Sequence, residues 1–139
     1  LANDIGTEKD VDRALFNVAC TVAHRMRRAG CYTSGVSGFI KYKDFSVVQR
    51  QHQISQPTNI TAVILNEARA LIRDIWDGES PIRQIGLGVS KLTHENAVQM
   101  SLFEDPKMDF YREWDRKYDE EKSQNEDAKT LAYERMKQQ

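Results

Sequence analysis

Val36-Ser37-Gly38-Phe39-Ile40-Lys41-Tyr42-Lys43 alternates two kinds of side chain. Val36, Gly38, Ile40 and Tyr42 fall on one side, Ser37, Phe39, Lys41 and Lys43 on the other. A period of two predicts a strand with one buried face. Asp44-Phe45-Ser46 then predicts a short turn, and Ser46 to Ile54 a second strand. That strand's sides, Val47/Gln49/Gln51/Gln53 and Val48/Arg50/His52/Ile54, are both mixed. An edge or a ligand-facing strand is therefore expected, rather than a central buried one.

Helical patterns flank this pair. Thr7 with Asp10 resembles a capping box, and Val11, Leu15, Val18, Ala19, Val22 and Met26 then recur on one helical face. Arg25, Arg27 and Arg28 suit a helix C-terminus and Gly30 a stop, so a helix over 8–29 is predicted. Beyond the second strand, Pro57-Thr58-Asn59 breaks the chain, with Thr58 or Asn59 as cap. A second apolar stripe runs through Ile64, Leu65, Ala68, Leu71, Ile72, Ile75 and Trp76 to Asp77-Gly78. Ile82 to Leu92 is extended again, with Ile85, Leu87 and Val89 on one side and Gln84, Gly86, Gly88 and Ser90 on the other. The order helix–strand–strand–helix–strand predicts an α+β fold, with both helices on one face of an antiparallel sheet. The other face is left polar and partly basic, which suits a phosphate backbone.

Composition sets the outer bounds. At 139 residues and 40% hydrophobic content the chain can bury one domain's core and carry a tail. No apolar run reaches the roughly 20 residues of a membrane-spanning helix. Cys20 and Cys31 form no CxxC pair, which disfavours a disulfide framework or a structural zinc and places the chain in a reduced, cytoplasmic setting. The net charge of −1 hides an asymmetry. Residues 24–57 carry Arg25, Arg27, Arg28, Lys41, Lys43 and Arg50 against Asp44 alone, whereas the last third is acidic. Such a stretch suits a polyanion or, more blandly, a solvated face.

Tyr42-Lys43-Asp44-Phe45, Leu71-Ile72-Arg73-Asp74-Ile75-Trp76-Asp77-Gly78 and Pro81-Ile82-Arg83-Gln84-Ile85-Gly86-Leu87-Gly88-Val89-Ser90, in this order and separation, resemble the C-terminal little finger domain of bacterial Y-family translesion DNA polymerases. The resemblance spans residues 3–92 and implies a four-stranded antiparallel sheet with two helices on one face. The family's first strand would precede Leu1, so a largely missing strand is expected, or one supplied by another chain. The resemblance implies sequence-independent DNA contact at Lys41, Arg50, His52, Arg83 and Gln84, with close backbone approach at Gly86 and Gly88. The magnesium-binding carboxylates of nucleotidyl transfer belong to a palm domain that this chain lacks. No cofactor is expected in the chain itself, and it is expected to be a non-catalytic piece of a longer polymerase. The absence of an initial methionine fits that expectation.

Gln99-Met100-Ser101-Leu102-Phe103 resembles the bacterial sliding-clamp-binding peptide. Leu102 and Phe103 would be the apolar anchors and Gln99 the amide at the pocket rim. The domain is thus placed at 1–95, the clamp peptide at 96–105 and a charged helical tail at 106–139. In the tail, Asp105-Pro106 caps a helix whose Met108, Tyr111, Trp114 and Tyr118 form a stripe. That stripe is expected to pack on a neighbour, a second copy of the truncated chain being one candidate. Two other readings stay open. Gly38-Phe39-Ile40-Lys41-Tyr42 resembles the aromatic sheet motif of ferredoxin-like RNA-binding modules, although Phe39 and Tyr42 fall on opposite faces. A self-associating scaffold built on the tail is the third.

Overall fold

The computed structural model describes residues 6–94 and 106–137. Thr7 opens the first helix, α1 (Glu8–Ala29): its Oγ1 accepts from the Asp10 N–H at 3.1 Å, satisfying an otherwise orphaned donor. Gly30, in the left-handed region at φ 68°, closes it. The Gly30 N–H reaches Arg27 O, and the Cys31 N–H reaches Met26 O at 2.8 Å. Both hydrogen bonds satisfy carbonyls that the last turn would leave open. The predicted bounds, 8–29, are the observed ones.

Three antiparallel strands follow in the sheet order β2-β1-β3: β1 (Tyr32–Tyr42), β2 (Val47–Thr58) and β3 (Ile82–Thr93). Helix α2 (Thr61–Ile75) joins β2 to β3. β1 is central, and β2 lies at one edge, as its mixed pattern predicts. β2 runs further than expected, through Pro57 to Thr58, because an edge strand tolerates a residue with no N–H to give. The cap of α2 also differs from expectation. Ile60 occupies the N-cap with no side-chain bond, while Thr58 Oγ1 accepts from the Ile60 N–H at 3.1 Å. Arg27 of α1 anchors the same segment from the other side, donating to Asn59 O at 2.8 Å and Thr61 Oγ1 at 3.1 Å. One of the cations in the basic stretch is thereby spent tying the two helices together.

Both helices lie on one face of the sheet. Val11, Leu15, Ala19, Ala23 and Met26 of α1 and Ile64, Leu65, Ala68, Leu71 and Ile72 of α2 pack with Val36, Ile40, Ile82, Ile85 and Leu87 of the sheet. A methyl group on Gly38 would lie 3.2 Å from Ile72 Cδ1, which shows how closely α2 approaches β1. Burial of this one sheet face is the dominant stabilising term, at roughly 25 cal/mol per Å² of apolar surface.

The chain divides into two compact units, Leu1–Ser101 and Leu102–Gln139. In the second, α3 (Lys107–Lys137) is a single helix of 31 residues. It continues straight through the polar run 119–127. Arg116 spans Glu113 at 2.7 Å and Glu120 at 2.9 Å, pairs that support an exposed helix modestly. Trp114 and Tyr118 stack with centroids 5.5 Å apart, as their four-residue spacing predicts. Among the described residues no helix is long and apolar enough to cross a membrane.

Candidate nucleic-acid interface

The register decides which side chains share the open face. Lys41 is paired with Val47 and Gln84, Phe39 with Gln49 and Gly86, Ser37 with Gln51 and Gly88, and Gly35 with Gln53 and Ser90. Directly opposed residues point the same way, so these groups lie together on the side away from the helices. None of them is acidic. Lys91, at φ 52°, donates from Nζ to Gln53 Oε1 at 2.9 Å and adds a cation to this side.

Arg50 and His52 do not join them. They pair with Gly38 and Val36, which face the helices. Arg50 reaches Asp74 Oδ2 at 3.4 Å, and His52 Nδ1 lies 2.9 Å from Glu67 Oε2, both partners being on α2. Arg50 and His52, which the resemblance implies as DNA contacts, thus stand on the opposite side of the sheet from Lys41. The strand's parity turns them to the other face, where α2 supplies acids to meet them. Exposed pairs of this kind stabilise the fold little.

Gly86 and Gly88 also take a different role from the one expected. A Cβ on Gly86 would lie 1.9 Å from Phe39 Cε1, so the bare backbone is covered by that ring. A Cβ on Gly88 would lie 2.7 Å from Ser37 Oγ. The space left by the missing side chains is filled from within the sheet, and at Gly86 this is a cross-strand rescue of glycine by an aromatic neighbour.

At one end of the face, the β1–β2 turn gathers the remaining cations. The Tyr42 N–H bonds to Ser46 O at 2.9 Å and the Phe45 N–H to Tyr42 O at 3.0 Å, with Phe45 at φ 69°. Asp44 Oδ1 accepts from the Ser46 N–H at 2.9 Å and from Ser46 Oγ at 2.6 Å. These bonds hold the Asp44 carboxyl below its usual range, the Ser46 hydroxyl contributing most. The Phe45 ring receives Lys41 Nζ at 5.2 Å from its centroid and Arg83 Cζ at 4.4 Å. Arg83 arrives there through an irregularity in the ladder. Lys41 pairs with Gln84 and Tyr42 with Ile82, which leaves Arg83 as the bulged residue. Phe45 is the group that sequence reasoning missed as part of the site, having read it as a turn residue within a family motif. Gln99, Met100, Ser101, Leu102 and Phe103 lie outside the described residues.

Residues 1–102 match the impB/mucB/samB family C-terminal domain. The chain is 31% identical over 101 residues to DNA polymerase IV 2 of Bacillus subtilis (strain 168), covering 70% of this chain and 24% of that protein. It is 32% identical over 107 residues to DNA polymerase IV 2 of Halalkalibacterium halodurans, covering 74% and 26%. The chain thus spans about a quarter of the length of these relatives. Among solved structures, the fold is similar to a chain of a complex of beta-clamp processivity factor and little finger domain of PolIV, with a TM-score of 0.54 at 20% identity, covering 74% of this chain and 92% of that one. Match, order of elements and sheet topology agree, and this chain belongs to the impB/mucB/samB C-terminal domain family, the little finger domain of the Y-family polymerases.

Proposed function

We propose that this domain grips primer–template DNA through its phosphate backbone, as the non-catalytic part of an error-prone translesion polymerase. The observation that carries the reading is the charge of the open sheet face. It presents Lys41, Lys91 and Arg83 among glutamines, serine and glycine, with no acid among its paired residues. Among the described residues neither Lys41 nor Arg83 is ion-paired to a carboxylate, whereas Arg50 and His52 on the other face both meet acids. Glutamine amides and lysine ammonium groups contact phosphate without reading base sequence, which suits an enzyme that must act anywhere. No step of nucleotidyl transfer is assigned to this domain, which spans about a quarter of the length of its relatives. That chemistry would belong to the longer protein.

The segment Gln99–Phe103 is proposed to dock on a sliding clamp, tethering the domain to DNA by raising its local concentration there. The relative's solved structure, which pairs a little finger domain with a beta clamp, supports this reading.

Fluorescence anisotropy with a labelled primed duplex, titrated across salt, tests the grip. Lys41→Gln and Arg83→Gln are each expected to weaken binding and to lower the log–log salt slope by about one. Arg50→Gln and His52→Gln should leave the slope unchanged. Equal loss from the two faces would refute the assignment. Replacing Gln99, Leu102 and Phe103 together by Ala should abolish binding to a purified bacterial sliding clamp with an unchanged melting curve. Clamp binding that survives the triple change would overturn the docking proposal.

A further inference from the structure

Two backbone irregularities meet at Phe45. The first is its own conformation, φ 69°, where a bulky aromatic residue is strained and glycine would sit freely. Hairpins that place one left-handed residue after a type I turn ordinarily put glycine or asparagine there. The second is the bulge that turns Arg83 out of the ladder between Lys41 and Tyr42's partners. Bulges redirect side chains. Here the redirected guanidinium lies 4.4 Å from the same ring centroid that Lys41 Nζ approaches at 5.2 Å. The ring is also 58% exposed, so core packing does not account for a phenylalanine at this position.

Two cations gathered beside one ring repel, and on long side chains they would ordinarily swing apart. The negative face of an aromatic ring attracts each of them and offsets that repulsion. We propose that Phe45 is a positioning residue: its ring holds the Lys41 ammonium and the Arg83 guanidinium together at the end of the open face, so that the pair meets a phosphate backbone already arranged. This rests on the DNA-grip reading and deepens it. Phe45 itself neutralises no phosphate. Its effect is to spare the two side chains the ordering that binding would otherwise impose.

That difference in kind makes the test separable. In the salt titration of the full chain against the labelled primed duplex, Phe45→Leu keeps apolar bulk but loses the ring face, and Phe45→Gly suits φ 69° and removes the ring. Both are expected to weaken binding about fivefold at every salt concentration, with the wild-type slope retained because no charge is lost. Phe45→Tyr keeps the ring face and should bind within about twofold of wild type. Melting curves of all three accompany the titration, and the Leu/Tyr comparison decides if Phe45→Gly does not fold. Wild-type affinity of Phe45→Leu, with Lys41→Gln and Arg83→Gln still weak, would overturn the positioning role and leave the grip intact. Phe45→Tyr binding as weakly as Phe45→Leu would overturn it too. If Lys41→Gln and Arg83→Gln also bind like wild type, grip and positioning fall together.

Discussion

Gly86→Ala separates two explanations for a glycine on the open face. One holds that the bare backbone awaits close approach by a ligand; the structure instead sets the Phe39 ring over it. An added methyl group would meet Phe39 Cε1, Cζ and Cδ1 at 1.9, 2.3 and 2.7 Å, against the roughly 3.5–4.0 Å of a relaxed carbon contact. Phe39 and Gly86 are directly opposed across the β1–β3 ladder, so the backbones cannot part without loss of pairing. The ring must therefore leave its place or its rotamer, an overpacking strain of about 1–3 kcal/mol. Gly86 is not among the glycines at positive φ, so alanine also brings the usual gain of about 0.4–1 kcal/mol from a stiffer unfolded chain. The net expectation is a loss of about 1–2 kcal/mol, or a fall in melting midpoint of roughly 5–15 °C for a domain of this size. In a Phe39→Ala background the ring is gone, and Gly86→Ala should be neutral or stabilising. Thermal and urea unfolding of the four proteins completes the cycle, with a coupling of about 2 kcal/mol expected. A Gly86→Ala change that is harmless in the wild type, or that costs the same with and without Phe39, would refute the ring-over-glycine account.

Two further outcomes follow from the core and the turns. Leu15, 1% exposed between α1 and the sheet, should cost about 2–5 kcal/mol when replaced by Ala, read as a lower urea midpoint with an unchanged m-value. Asp44 and Asp77 have their carboxyl groups held below the ordinary value of 3.8 by bonds to Ser46 and Ser80 respectively. A folded pKa below the unfolded one contributes stability that is complete above the unfolded value and lost as pH falls through the folded value. Melting curves should therefore drop from about pH 4 downward, and Asp44→Asn with Asp77→Asn should flatten that drop.

Some features of this domain are local and are written in residue order. The α1 bounds follow from Thr7, a 3.6-residue apolar stripe and Gly30, all within one turn of the atoms they satisfy. The alternation of β1 names Val36, Gly38 and Ile40 as the buried side, and the structure buries them. Lys41 is on the open face for the same reason, one residue out of phase. The α2 start is less legible, because Ile60 stands at its N-cap without a side-chain bond and the segment is held by Arg27, more than thirty residues upstream.

The sequence alone determined the fold class, the order of elements, the burial of one sheet face and the family resemblance, because apolar periodicity and turn chemistry act over neighbouring residues. Only the tertiary structure decided which side of β2 faces the helices. Both of its sides are mixed, so its parity is carried across the hairpin by the turn and set by pairing with β1. A one-residue change in that count exchanges Arg50 and His52 with Gln49 and Gln51. The same holds for the meeting of Lys41, Phe45 and Arg83. They come from two strands and a turn, and a bulge in the ladder brings Arg83 to the ring. Register and bulges arise from contacts between distant segments, which no window of residues contains.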